Sequence, residues 1–210
     1  MLLKTKLFLT INFAIVLLLS CKDKTPHIKK KAEVIVTEAK QKSTVIKDTF
    51  KYKKDYLATT FDFPVGKPGA KGYYNAQGFG KNNHLGDDWN GVNGGNSDLG
   101  DPIYAVGNGY ISSAKDLEGG WGNVIRIIHK LYNGKEIESL YAHCDTILVK
   151  PKQWIKKGEQ IGTIGNANGT YLAHLHLEIR DSINLSIGAG YSENTAGYLD
   201  PTKFIKDHRK

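Results

Sequence analysis

The stretch Ala173-His174-Leu175-His176-Leu177-Glu178 sets the expectation for the fold. Its residues alternate in kind, with Leu175, Leu177 and Ile179 in one register and His174, His176 and Glu178 in the other. Side chains two apart on a β-strand share a face, so this reads as a strand with an apolar face and two imidazoles side by side on the other. Neighbouring imidazoles on an ordered strand suit a metal ligand, a catalytic base, or one of each. The residues alone leave that choice open.

Short strand-like runs precede it at regular intervals: 102–106, 109–114, 123–129, 137–142 and 160–164. Asn133-Gly134 between two of them is a hairpin turn signal. Asn90 to Gly100 is rich in Gly and Asn with little apolar content, a loop, and residues 182–197 form a polar surface excursion. The 23 glycines and the short apolar runs favour a mainly β chain with many turns, and no run of helical period stands out in this region. Asp200-Pro201 opens a short closing segment.

The net charge of +8 raises the question of nucleic acid until it is located. Residues 1–54 hold 13 Lys against 4 acidic residues, and residues 55–210 hold 16 basic against 17 acidic ones. The excess therefore sits in an N-terminal extension, and the near-neutral remainder argues against a nucleic-acid groove. Within the extension, Lys4 and Lys6 precede an apolar run from Leu7 to Leu19, short for a membrane span of ~20 residues but suited to a signal-peptide core. It ends in Leu18-Leu19-Ser20-Cys21, which resembles a bacterial lipobox. The resemblance implies cleavage before Cys21, a lipid on its thiol, and a membrane-anchored protein of the cell envelope facing the periplasm or the exterior. Residues 1–20 are thus read as a lipoprotein signal, 21–55 as a Lys-rich tether and 56–210 as the folded domain. With Cys21 acylated, Cys144 has no partner for an intramolecular disulfide.

His84 and Asp88 are four apart with Gly86 between them, which disfavours a helix and on an extended segment puts both on one face. A His and a carboxylate from one segment with a His from another make three protein ligands. Such a set leaves zinc an open fourth position, the pattern of catalytic sites, and no four Cys/His at structural-zinc spacing occur. Either motif alone is a weak signal.

Their order along the chain is more specific. His84-x-Gly86-x-Asp88, Gly100-Asp101-Pro102-Ile103-Tyr104-Ala105, Tyr141-Ala142-His143, Gly158-x-x-Ile161-Gly162 and His174-Leu175-His176-Leu177-Glu178 together resemble the M23 peptidases, the lysostaphin/LytM-type zinc endopeptidases of bacterial peptidoglycan. The resemblance covers roughly residues 60–205. It implies an antiparallel, twisted sheet forming the floor of a groove with loops as walls. It implies one zinc ion on His84, Asp88 and His176, with His143 and His174 as the unligated catalytic pair: His174 as general base, His143 stabilising the oxyanion. The implied substrate is a peptide stem or cross-bridge of peptidoglycan, and the expected state is a monomer. Cys144 follows the Tyr-x-His where the family often has Leu, and Ala173 precedes the His-x-His where Pro or Ser is common.

Other candidates weigh less. Cys144 beside His143 invites a Cys-His nucleophile, but neighbours on a strand face opposite ways, so a small buried residue is the expectation. Glu178 lies on the histidine face as an orienter of an imidazole or a strand-edge hydrogen-bonding group. Tyr141, two before His143, would share its face and line the cleft, or pack in the core. Trp89 and Trp121 are groove walls or core aromatics, and His129 is structural. The competing function is a non-catalytic regulator of another wall hydrolase, since some LytM-like proteins have lost their ligands; here the whole set is present.

Overall fold

A computed structural model describes residues 53–209. The expected signal peptide, Cys21 and the expected tether up to residue 52 lie outside the described residues. Ten strands form one sheet: β1 (Tyr73–Gln77), β2 (Asp87–Gly91), β3 (Pro102–Tyr104), β4 (Gly109–Asp116), β5 (Asn123–Lys130), β6 (Glu136–Ile147), β7 (Trp154–Ile155), β8 (Gln160–Ile164), β9 (Leu175–Arg180) and β10 (Tyr198–Leu199). The order is β1-β2-β9-β6-β5-β4-β7, with β10 on β9 and β8 bridging β3 and β6, and every pairing is antiparallel. The expectation of a mainly β, antiparallel domain holds.

The hydrophobic alternation explains the layering. Ile125 and Ile127 of β5, Ile137 and Tyr141 of β6, and Leu175, Leu177 and Ile179 of β9 enter one continuous core. The opposite face is not solvated. His176, Glu178 and Arg180 of β9 are buried, as are Glu138 and Leu140 of β6, and the polypeptide from Ser182 to Tyr191 contributes Ile183 and Ile187 against this side. The central strands are thus buried on both faces, although half their outward residues are charged.

Asn133-Gly134 makes the β5–β6 turn, with Gly134 at φ 83° and the Asn133 side chain accepting from the Lys135 amide at 3.0 Å. The closing segment is a helix, α1 (Pro201–Asp207), which the sequence reading did not anticipate. Seven residues are too few for a periodic signal. Its cap signature is present: Asp200 accepts from the Lys203 amide and Pro201 occupies the first turn. Phe204 of α1 meets Phe61 edge-on at 5.0 Å and seals the core.

His129 is structural, as expected. It is fully buried, its Nδ1 donates to the Asn108 carbonyl at 2.8 Å, and its Nε2 accepts from the Ser139 hydroxyl at 2.7 Å. Burial pushes its pKa down to about 4 from 6.5, so between those values the unfolded chain binds a proton that the folded chain does not. Stability therefore falls as pH drops through that window, by about 3 kcal/mol from this group. Urea unfolding at pH 7 and pH 4.5 is expected to show a smaller acid loss in His129→Gln than in the parent; an equal loss removes His129 from the acid limb.

Candidate metal centre and cleft

Asp88 on β2 lies directly across from His176 on β9 in the sheet register, with Asp87 across from Leu177. Alternation sends Asp88 towards the cleft. Its neighbour Asp87 turns the other way, accepting from the Phe79 amide at 3.0 Å and from the Thr202 hydroxyl at 2.6 Å, which ties the approach to His84 and the start of α1 to β2. His84 precedes β2 and is held by an isolated bridge to Tyr191.

The three side chains converge. His84 Nε2 lies 3.0 Å from His176 Nδ1 and 3.3 Å from Asp88 Oδ1, and His176 Nδ1 lies 3.0 Å from Asp88 Oδ1. Four ligands at zinc distances of ~2.0–2.1 Å in a tetrahedron place donor atoms roughly 3.3 Å apart, so this triangle fits such an ion with little adjustment. The far nitrogens fix both rings. His84 Nδ1 donates to the Gln77 carbonyl at 3.2 Å, and His176 Nε2 donates to Glu178 Oε1 at 3.1 Å. Each imidazole therefore presents its remaining nitrogen to the triangle.

The electrostatics also favour a cation. Burial pushes the His176 imidazole down, but hydrogen bonds to Asp88 and Glu178 outweigh it and lift it to about 9. Burial works to raise the Asp88 carboxyl, and hydrogen bonds to His176 and His84 overcome it and hold it well below the usual carboxylate range. The residues present fit a divalent ion.

His143 and His174 flank the triangle. His174 sits just ahead of β9, its Nδ1 donating to the Leu172 carbonyl at 2.8 Å, so that Nε2 carries the lone pair and stands 3.9 Å from Asp88 Oδ1. The His143 ring centre is 4.7 Å from that of His174 and 5.7 Å from that of His176. Burial, then the neighbouring His176 and His174, lower His143 to about 3, which keeps it neutral at pH 7.

His143 reaches the cleft by breaking the strand. Its φ is +60°, a left-handed conformation uncommon for a residue with a Cβ, and the β5–β6 register shifts at the same place. The bulge puts His143 on the side of Leu140, Ala142 and Trp121, while Tyr141 and Cys144 both enter the main core. Tyr141 therefore does not line the cleft with His143; its hydroxyl accepts from the Val106 amide at 3.0 Å. Cys144 points away from the site as expected, and burial pushes its thiol up to about 12, which removes it as a nucleophile.

The cleft holds about 460 Å³. Its walls are Trp121, Tyr171 and Tyr191. Tyr171 lies 5.0 Å from the His143 ring and Tyr191 5.0 Å from the His84 ring. A Cβ on Gly120 would fall 2.4 Å from the Tyr171 hydroxyl, so the glycine makes room for that wall. Of the two tryptophans the sequence offers as wall or core aromatics, Trp121 is the wall, and its indole donates to the Gly188 carbonyl at 3.1 Å. Trp89 packs on Phe63 in the core instead. Tyr171 and Tyr191 carry no local sequence signal, since loop tyrosines are unremarkable until folding places them beside the histidines.

Such a fold with such a site defines a β-domain with three donors fitted to a divalent ion at the floor of a cleft. Peptidase family M23 matches residues 87–187. Lipoprotein NlpD of Yersinia enterocolitica is 41% identical over 81 residues, which cover 39% of this chain and 78% of that one. The chain belongs to family M23. Murein hydrolase activator NlpD of Escherichia coli (strain K12) is 40% identical over 81 residues, but these span only 20% of its length and 39% of this chain. The solution structure of lysostaphin shares the fold, with a TM-score of 0.50 at 24% identity, over 65% of this chain and 51% of that one.

Proposed function

We propose that residues 56–210 form a zinc-dependent endopeptidase that hydrolyses peptide stems or cross-bridges of bacterial peptidoglycan. The observation that carries this reading is the triangle of His84, Asp88 and His176 with two further imidazoles in the same cleft. His84 Nε2, Asp88 Oδ1 and His176 Nδ1 would hold a zinc ion, which would supply a Lewis acid and bring the pKa of water towards ~7. His174 accepts the nucleophile's proton at Nε2, because its Nδ1–H is committed to the Leu172 carbonyl. His143, neutral at working pH, donates a hydrogen bond to the carbonyl oxygen as that oxygen gains charge. Trp121, Tyr171 and Tyr191 bracket the peptide and exclude bulk water from it. In this reading the residues ahead of the domain carry a lipid on Cys21 and a basic tether, which would hold the domain at a membrane of the envelope within reach of the wall.

A second reading has a specific observation behind it: relatives matching this region are named murein hydrolase activators. A non-catalytic activator has no need of a complete donor set with two auxiliary histidines. Purified protein incubated with peptidoglycan is expected to release peptide fragments, to lose that activity on treatment with a chelator, and to regain it with stoichiometric zinc. Zinc-free protein that releases nothing from any wall type but stimulates a partner hydrolase would establish the activator reading instead.

A further inference from the structure

The outward face of the sheet carries a row of charges that the proposed chemistry does not use. Glu178, Arg180 and Glu138 are fully buried. Glu178 Oε1 accepts from His176 Nε2 at 3.1 Å, and Glu178 Oε2 accepts from Arg180 Nε and Nη2, each at 2.6 Å. Arg180 Nη1 lies 3.7 Å from Glu138 Oε1, which also accepts from Arg126 Nε at 2.9 Å and Nη2 at 2.6 Å. The row alternates in sign from one end to the other.

Its far side holds the loop. Arg180 donates to the carbonyls of Leu185, Ser186 and Ile187 at 3.3–3.4 Å, and Arg126 donates to the Leu185 carbonyl at 2.8 Å. Glu138 Oε2 accepts from the Asn184 amide at 3.4 Å. A few residues on, the same loop becomes the cleft wall: Gly188 takes the Trp121 indole, Gly190 accepts from the Leu85 amide, and Tyr191 packs tilted against the His84 ring.

We infer that Glu178, Arg180, Glu138 and Arg126 act as one positioning unit, which holds His176 in the Nε2–H tautomer at one end and the cleft-wall loop 184–191 at the other. The physical reason is the lack of alternatives. A buried carboxylate can only accept, so with Nδ1 given to a metal ion in the triangle, Glu178 keeps the remaining His176 proton on Nε2. A buried guanidinium can only donate, and its fork spans both an acid and the loop carbonyls. Moving the loop would strip acceptors from two arginines. The metal-ligand geometry and the cleft shape are in this way set by the same four side chains, which rests on the zinc reading proposed above.

The test uses the whole chain and three readouts besides activity. Zinc competition with a chromophoric chelator is expected to show a 10–100-fold loss of affinity in Glu178→Gln. Long-range nitrogen-proton spectra of zinc-loaded parent protein are expected to show His176 protonated at Nε2 and lacking a proton at Nδ1. Hydrogen exchange of amides 184–190 is expected to quicken in Arg126→Gln while that of β5 and β6 amides stays as in the parent. Parent protein that binds no zinc sinks the zinc reading and this inference with it. Parent protein that binds zinc with His176 protonated at Nδ1 overturns the positioning unit alone, and so does folded Glu178→Gln with parental affinity. Should Glu178→Gln not fold, the parent spectrum and the Arg126→Gln exchange still decide it: unchanged loop exchange rejects the unit.

Discussion

His176→Ala is expected to leave the domain without stoichiometric zinc and without peptidase activity, whereas His174→Ala keeps the zinc and loses only the activity. The two residues sit two apart and differ in what their ring nitrogens do. His176 Nδ1 is within 3.0 Å of both other donor atoms, and its Nε2 is taken by Glu178. His174 spends Nδ1 on a backbone carbonyl, and its Nε2 comes no closer than 3.9 Å to Asp88. In the proposed mechanism, removing His174 would subtract a proton acceptor and lower kcat/KM by on the order of 10²–10⁴-fold. Removing His176 subtracts a ligand and strips Glu178 of a donor, at a stability loss of about 1–3 kcal/mol. Metal content by elemental analysis, with circular dichroism to establish folding, separates the two. Equal zinc loss in both folded variants would refute this division of labour.

Gly86→Ala is expected to damage the site from outside the ligand set. Gly86 stands between His84 and Asp88 and packs against β9. A Cβ there would meet the Leu177 carbonyl oxygen at 2.4 Å, His176 Cε1 at 2.9 Å and Glu178 Cγ at 3.1 Å. None of these can yield freely: the first is backbone in the sheet, the second belongs to a ring held at both nitrogens, and the third belongs to the side chain that holds it. The methyl must push β2 away from β9 or tilt the His176 ring. Such overpacking costs about 1–3 kcal/mol. Spent on the ring instead, 1.4 kcal/mol corresponds to about a tenfold loss of zinc affinity. Thermal unfolding of chelated protein reports the first effect and chelator competition the second. A variant matching the parent in both would show that β2 and β9 have slack at this point.

The imidazole spacing, the Gly between His84 and Asp88, and the strand alternation were all legible in the chain order. The hairpin at Asn133-Gly134 and the neutral body of the domain follow from local pattern and composition, whereas the antiparallel order of the sheet was implied by the family resemblance. The cleft walls were legible only in part. Trp121 stood among several aromatic candidates, and Tyr171 and Tyr191 reach the site by loop paths that no periodicity encodes.

Alternation also misled in two places, for physical reasons. It assumes an unbroken strand, and His143 at φ +60° breaks it, so Tyr141 goes to the core and His143 to the cleft. It also treats a polar face as a wet one. The sequence by itself determined which side of β9 carries His176, Glu178 and Arg180, since a period of two leaves no other arrangement. Only the tertiary structure decided that this side is dry. Loop 182–191 folds over it, and once water is excluded each charge must find a buried partner, including contacts such as Arg126 to Glu138 and to Leu185, 12 and 59 residues away in the chain.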